Sequence, residues 1–395
     1  WPKIEGGDRL YETWLDRYDR PDCNHTILEW IRKLEYKPLI SIILPTYNSD
    51  LTFLQAAIKS VEMQSYENWQ LCIVDDASSD GRLIKYLQEL KESPKMCIIF
   101  RKNNGHISAA SNTAIENASG EFLTFLDHDD ELHQHALACV VAELNKNREL
   151  DLIYTDEDKI DGWGNRTEPN FKSDWNPDLL LSQNYICHLA VYRASVVKKV
   201  GQLREGYEGA QDYDLLLRVT ESTQRISHIP LILYHWRAIE GSTALAEDEK
   251  DYAHGKAIEA LRDCLKRRSV VAEIKPSGLA VYHRVQYVIP TPLPLVSIIV
   301  PTRDRADLVK VCVDGLVNTT NYKNWELLII DNDSKDQKSH EYFRSIESEQ
   351  IKVKKFEGKF NYSAINNFGV KQSKGQVLLL LNNDIEMIDA NWLTE

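Results

Sequence analysis

Between residues 39 and 146, four short apolar runs alternate with four stretches of helical periodicity, and this alternation limits the chain to one class of architecture. Strands are predicted at 39–44, 69–75, 96–101 and 121–127, with helices at about 51–63, 80–91, 107–118 and 132–146. Strand–helix alternation at this spacing makes an α/β fold, a parallel sheet with helices on both faces. Crossovers are right-handed by default, so every strand ends at the same edge.

Polar clusters fall at that edge. They are Pro45-Thr46-Tyr47-Asn48, Asp75-Asp76-Ala77-Ser78-Ser79-Asp80-Gly81, Asn103-Asn104-Gly105-His106 and Asp127-His128-Asp129-Asp130. Ligands of open α/β sheets bind beyond the carboxyl ends of the strands, so four such clusters together favour a nucleotide-binding edge. The last follows the apolar run 122–126, which reads as a strand buried on both faces. Three carboxylates at its end repel one another unless a cation sits among them, and hard divalent ions take oxygen ligands. The alternative is a strand exit with Asp as turn former and helix N-cap, ahead of a helical pattern near Leu132.

At 395 residues the chain is long enough for two or more domains. The net charge of -13 argues against a nucleic-acid partner, while leaving room for a local basic pocket for one diphosphate. The longest apolar runs, such as 377–381, are too short to span a bilayer. The chain starts at Trp1 without a signal peptide and is expected to be a piece of a longer protein. Its seven cysteines are scattered, odd in number and never paired as Cys-x-x-Cys, which predicts buried thiols of a cytosolic protein.

Before the alternation, two short helices are expected near 11–18 and 26–34, with Tyr11, Trp14, Leu15, Ile27, Trp30, Ile31 and Leu34 as a docking face. Beyond it, a short strand at 151–154 is followed by Asp156-Glu157-Asp158 in a polar loop running to Gly164. Trp163 and Trp175 lie in loop-rich stretches, where such rings either stack on sugars or anchor loops. Further elements are a strand at 184–192, a helix at 211–221, a strand at 226–236, a polar helix at about 247–268, and strands near 270–274 and 279–288. Pro290-Thr291-Pro292-Leu293-Pro294 reads as a linker. A repeat follows it. Ser41-Ile42-Ile43-Leu44-Pro45-Thr46 matches Ser297-Ile298-Ile299-Val300-Pro301-Thr302, a shift of 297 − 41 = 256. The block at Asn68 recurs at Asn324 with the same shift, and the segment at Gly120 recurs at Gly375, a shift of 255.

With these blocks in place the sequence resembles the family 2 inverting glycosyltransferases of the GT-A fold, a Rossmann-like, mostly parallel α/β architecture. It looks most like the tandem-module type that builds bacterial surface polysaccharides such as O-antigen and capsule. The resemblance rests on residues 41–48, 74–81 and 104–112, on Asp127 and Asp129, on Gln211-Asp212-Tyr213-Asp214-Leu215 and on His235-Trp236-Arg237. It implies an N-terminal helical segment at 1–38, a complete module at 39–288, a linker at 289–294 and the nucleotide-binding half of a second module at 295–395.

The resemblance also assigns roles. Pro45, Thr46, Tyr47, Asn48 and Asp76 would hold base and ribose, and Asn104, Gly105, Asp127 and His128 would complete the nucleotide-sugar site. Asp129 and His235 would hold Mn²⁺ or Mg²⁺, and Arg237 would contact the diphosphate. Asp212 would be the general base, with Asp214 a fallback pointing away along the helix. Trp175, Asn184, His188 and Trp236 would meet the acceptor. By residue type alone, Asp212 reads equally as a helix cap and His235 as a structural histidine. Many relatives carry Arg where Ser111 stands, so neutralising the diphosphate would lean on the metal and Arg237.

The implied activity is metal-dependent transfer of a sugar from a UDP- or dTDP-sugar to a glycan or lipid-linked glycan. It would occur in the cytoplasm, compatible with peripheral association at the inner face of the membrane. A nucleotidyltransferase of the same fold would want a Gly-rich basic loop after the first strand, which Pro45-Thr46-Tyr47-Asn48 lacks. A non-catalytic sugar-binding or scaffolding module would not need Asp129, Asp212 and His235 together. The second module has Asn332 for Asp76 and Asn382-Asn383-Asp384 for Asp127-His128-Asp129, and is expected to be catalytically inert.

Overall fold

The computed structural model describes residues 7–19, 24–91, 93–238, 247–277 and 282–394. They fall into two compact units, Trp1–Val285 and Gln286–Glu395. In the first, α1 (Gly7–Tyr18) and α2 (Asn24–Lys33) precede β1 (Ile40–Thr46). The alternation then runs α3 (Leu51–Glu62), β2 (Trp69–Asp75), α4 (Gly81–Leu90), β3 (Met96–Phe100), α5 (His106–Asn117) and β4 (Phe122–Phe125). A two-residue strand, β5 (Glu131–Leu132), leads into α6 (Ala136–Lys146). Next come β6 (Leu152–Ile160), β7 (Arg166–Asn170), α7 (Pro177–Ser182), β8 (Ala190–Arg193) and α8 (Ala194–Lys199). The unit closes with α9 (Gln211–Ser222), β9 (Ile226–Arg237), α10 (Glu247–Arg267), β10 (Ala272–Pro276) and the start of β11 (His283–Tyr287), which crosses the boundary.

The sheet order is β3-β2-β1-β4-β8-β6-β9-β5, with β7 added on β6. The four expected strands β1 to β4 are mutually parallel, so their polar exits share one edge. The sheet as a whole is mixed, because β8 runs antiparallel to both β4 and β6. Both faces of β1 are covered. Ile42 and Leu44 join α3 and α6 in one core, while Ile43 joins α5 and α9 in the other. That double burial is why the strands read as unbroken apolar runs. The N-terminal helices dock as expected through Tyr11, Ile31 and Leu34, and Trp14 meets the ring of Phe171 at 5.2 Å. Trp30 stays exposed, and the side chain of Ile27 lies outside the described residues.

Three elements differ from expectation. Residues 156–158 continue β6 instead of forming a loop, because each carboxylate finds a buried partner. Asp156 accepts from the Lys172 N–H at 2.9 Å, Glu157 pairs with the Lys172 ammonium at 3.1 Å, and Asp158 pairs with Arg166 at 2.5 Å. Residues 184–189 are irregular, because their backbone groups bond to side chains and leave no ladder. The Lys172 ammonium donates to the carbonyls of Ile186 and His188, and the His188 N–H donates to Glu157. Finally, α6 begins at Ala136, since Glu131 and Leu132 pair with β9 before it.

The second unit contains β12 (Val296–Thr302), α11 (Ala306–Thr319), β13 (Trp325–Asp331), α12 (Gln337–Ile346), β14 (Ile351–Lys355), α13 (Tyr362–Gln372) and β15 (Val377–Leu380). Its order, β14-β13-β12-β15, repeats β3-β2-β1-β4. The registers repeat too: Ile40 faces Trp69 as Val296 faces Trp325, both displaced by 256. Gly120 and Gly375 are required by the same contact, since a Cβ on either would lie 2.6 Å from the backbone nitrogen of Ser41 or Ser297. No helix among the described residues is long and apolar enough to cross a membrane.

One buried histidine makes the fold acid-sensitive. His283 stacks on His254 at 4.7 Å, and burial with that neighbour lowers its pKa to about 4. A depressed histidine contributes stability that is complete above its unfolded pKa of 6.5 and is lost as pH falls toward 4. His283→Phe, which keeps the ring stack, should therefore flatten the melting temperature between these pH values. Parallel pH profiles for variant and parent would refute the assignment.

Candidate functional site

The four parallel strands open onto a cavity of about 300 Å³. It is lined by Pro45, Thr46 and Tyr47 after β1, Asp76 after β2, His106, Ile107 and Ala110 of α5, Asp127, His128 and Asp129 after β4, and Trp236 of β9. Asn48, Asn104 and Gly105 shape the cavity without lining it. The Asn48 side chain accepts from the Ser79 N–H at 2.8 Å, bracing the two loops against each other. The Gly105 N–H donates to Asp76 at 2.9 Å, and Arg101 reaches the same carboxylate at 2.5 Å. A Cβ at Gly105 would lie 2.7 Å from that guanidinium, so a larger residue there would require Arg101 to shift. Ser111 is buried within α5 and does not line the cavity.

The acidic turn after β4 is fixed from outside its own loop. Asp130 is 1 % exposed and accepts from the Tyr234 hydroxyl at 2.5 Å and the Arg237 N–H at 2.7 Å. Burial raises the Asp130 carboxyl well above its ordinary range, and the charges of Asp127 and Asp129 add to the shift. Asp127 is raised too, by burial first and by Asp129 and Asp212, against the opposing effect of His188. One ligand atom from each of Asp127, Asp130 and His188 falls within a 4.8 Å group that could hold a metal ion. The His188 ring lies flat on Tyr234 at 4.5 Å with its Nε2 3.9 Å from Asp127, so an expected acceptor contact stands instead against the acidic turn.

His235 and Arg237 are not brought to this cavity. Successive residues of β9 face opposite sides of the sheet. Trp236 lines the cavity, whereas His235 lines a separate one with Lys59, Glu131 and His133. The His235 Nδ1 meets Asp158 at 2.5 Å, and burial lowers its pKa against that carboxylate's pull. Its position is that of a structural histidine, not of a ligand beside Asp129. Arg237 is 3 % exposed, and its guanidinium is consumed within the turn. It donates to the Asp129 carbonyl at 2.6 Å, to the Asp161 carbonyl at 3.0 Å and to Glu131. It holds the acidic loop in place and does not line the cavity.

Asp212 stands in the first turn of α9, but the N-cap is Ala210, which makes no side-chain cap. The carboxylate instead accepts from the Asn184 amide at 2.8 Å, and its charge reaches Asp127. Asp214 points the other way, fully buried between Arg204 and Arg218. Trp175 packs against the second core. Sequence reasoning gave no site role to His106, Ile107 and Ala110, and it placed Asp130 in the acidic cluster while leaving it out of the implied ligand pair, whereas it belongs to the group that could hold a metal ion. The first three lay within a recognised block, and nothing local distinguishes Asp130 from Asp129.

The model of the family described as "Glycosyl transferase family 2" matches residues 41–201 and 297–395. The "Uncharacterized protein y4gI" of Sinorhizobium fredii is 43% identical over 375 residues, covering 93% of this chain and 41% of that protein. The "O-antigen biosynthesis protein RfbC" of Myxococcus xanthus is 38% identical over 370 residues, covering 93% of this chain and 29% of that protein. The chain thus spans less than half the length of these relatives. A crystal structure of S. aureus TarS 1-349 in complex with UDP-GlcNAc aligns with a TM-score of 0.46 and 22% identity, covering 56% of this chain and 66% of that one.

Removing one partner of a buried ion pair costs roughly 3–5 kcal/mol. Arg237→Ala should therefore lower the unfolding free energy obtained from urea titration by an amount of that order, moving the midpoint down, with the acidic turn loosened. An unchanged midpoint would show that Arg237 is not the clasp described here.

Proposed function

The chain belongs to glycosyl transferase family 2, and we propose that its first unit, as the complete module at 39–288, transfers a sugar from a UDP- or dTDP-sugar to a hydroxyl of a growing glycan with inversion. The observation that carries this reading is a strand-end cavity lined by Asp76, Asp127 and Asp129, with Asp212, held by Asn184, near enough for its charge to act on Asp127.

Each residue then has a task its chemistry suits. Tyr47, half exposed at the rim, offers a ring to the base, and Asp76 offers carboxylate oxygens to an imide N–H. Two carboxylates and an imidazole, with the carboxyls raised by burial first and by neighbouring carboxylates second, fit a hard divalent ion such as Mn²⁺ or Mg²⁺. Asp127, Asp130 and His188 would hold it, with Asp129 beside them on the cavity wall. When bound, such an ion neutralises charge on a departing diphosphate. Asp212 accepts the proton of the attacking hydroxyl, whose oxygen bonds to the anomeric carbon as the bond to phosphate breaks. Asn184, donating to one Asp212 oxygen, leaves the other for that proton.

Two measurements test the reading. Asp212→Asn can still accept from Asn184 but cannot take a proton, so transfer should fall by roughly a hundredfold or more while donor binding and melting persist. Retained transfer in the folded variant would end the assignment. In titrations with UDP and Mn²⁺, Asp129→Ala and His188→Ala should lose affinity and His235→Ala should keep it. The opposite ranking would return His235 to the metal site.

A further inference from the structure

The second unit opens at the equivalent edge onto a cavity of about 210 Å³, and its walls carry a different charge. Pro301 and Thr302 repeat Pro45 and Thr46, but Arg303 stands for Tyr47, Asn332 for Asp76, and Asn382 for Asp127. The first cavity is lined by three carboxylates, Asp76, Asp127 and Asp129, whereas this one is lined by none and by one guanidinium. The retained carboxylate, Asp384, does not line it, and its charge acts on Arg305. We infer that this cavity is a binding site of its own, taking a nucleoside diphosphate directly on Arg303 without a divalent cation.

Two features point to a ligand. Asn332 is 1 % exposed, and its Oδ1 has no hydrogen-bond partner among the described residues, although its Nδ2 donates to the Gly358 carbonyl at 3.2 Å. Buried acceptors are nearly always satisfied, so this one calls for a donor from whatever fills the cavity, such as a base N–H or a ribose hydroxyl. Arg303 is half exposed and has a loose 3.7 Å pairing with Asp304, which leaves its donors available at the rim. A guanidinium binds phosphate oxygens bidentately, and without a carboxylate cluster no cation is needed to relieve repulsion. Tyr362 adds an exposed ring to the wall.

This inference stands apart from the proposal for the first unit, whose carboxylates repel a diphosphate when cations are removed. The test is calorimetric titration of the whole chain with UDP in excess EDTA, with melting curves for each variant. Binding should persist in EDTA and weaken by about tenfold or more in Arg303→Glu, with Arg303→Lys, which keeps the charge and loses the fork, falling between that variant and the parent. No binding in EDTA, or binding that Arg303→Glu leaves unchanged, would overturn it. Inorganic pyrophosphate, which cannot satisfy Asn332, should bind more weakly than UDP, and equal affinity would overturn the nucleoside assignment.

Discussion

The site depends on one buried carboxylate and the strand that satisfies it. Asp130 cannot be buried as an anion without donors, and its two come from Tyr234 and Arg237, more than a hundred residues later. In the sheet, β8 and β6 lie between β4, which the acidic turn follows, and β9, which supplies those donors. The turn therefore bridges the two halves of the sheet. Through it the parallel strands that form the cavity floor are coupled to Trp236, on the same strand as the clasp.

A second set of buried charges fixes the surroundings. Asp156, Glu157 and Asp158 each take partners from different segments, including Lys172, His228, Arg166 and Tyr11. Buried pairs of this kind add little net stability, because desolvation offsets most of the attraction. What they supply here is position. Lys172 draws the carbonyls of Ile186 and His188 inward, and that places the His188 ring between Tyr234 and Asp127.

The two units separate frame from chemistry. The frame consists of paired apolar strands, the close glycine approach at Gly120 and Gly375, and tyrosine hydroxyls that reach back to Pro38 and Pro294. Of the paired strand residues, Pro45 and Thr46, like Pro301 and Thr302, reach the cavities without changing between the units. The residues that do change, Tyr47, Asp76 and Asp127 against Arg303, Asn332 and Asn382, stand beyond the last ladder pair, where a change from Asp to Asn or Tyr to Arg disturbs no strand. Charge at the mouth can therefore change while register stays the same.

The sequence by itself determined the alternation, the parallel order of β1 to β4, the repeat and most of the cavity wall. These follow from local periodicity and from strand ends, which neighbouring residues decide. For Asp212 the residue type alone favoured a helix cap, and only the fold shows that Ala210 takes the N-cap and Asn184 takes the carboxylate. Tertiary structure alone decided which of three adjacent aspartates turns inward, because the donors to Asp130 arrive from β9. It alone turned residues 156–158 from a loop into a strand, since nothing local announces that Lys172, His228 and Arg166 will neutralise them. It also exchanged His235 for His188 beside the acidic turn. Strand alternation sends His235 to the far face, and an irregular segment that no periodicity predicts brings His188 in its place.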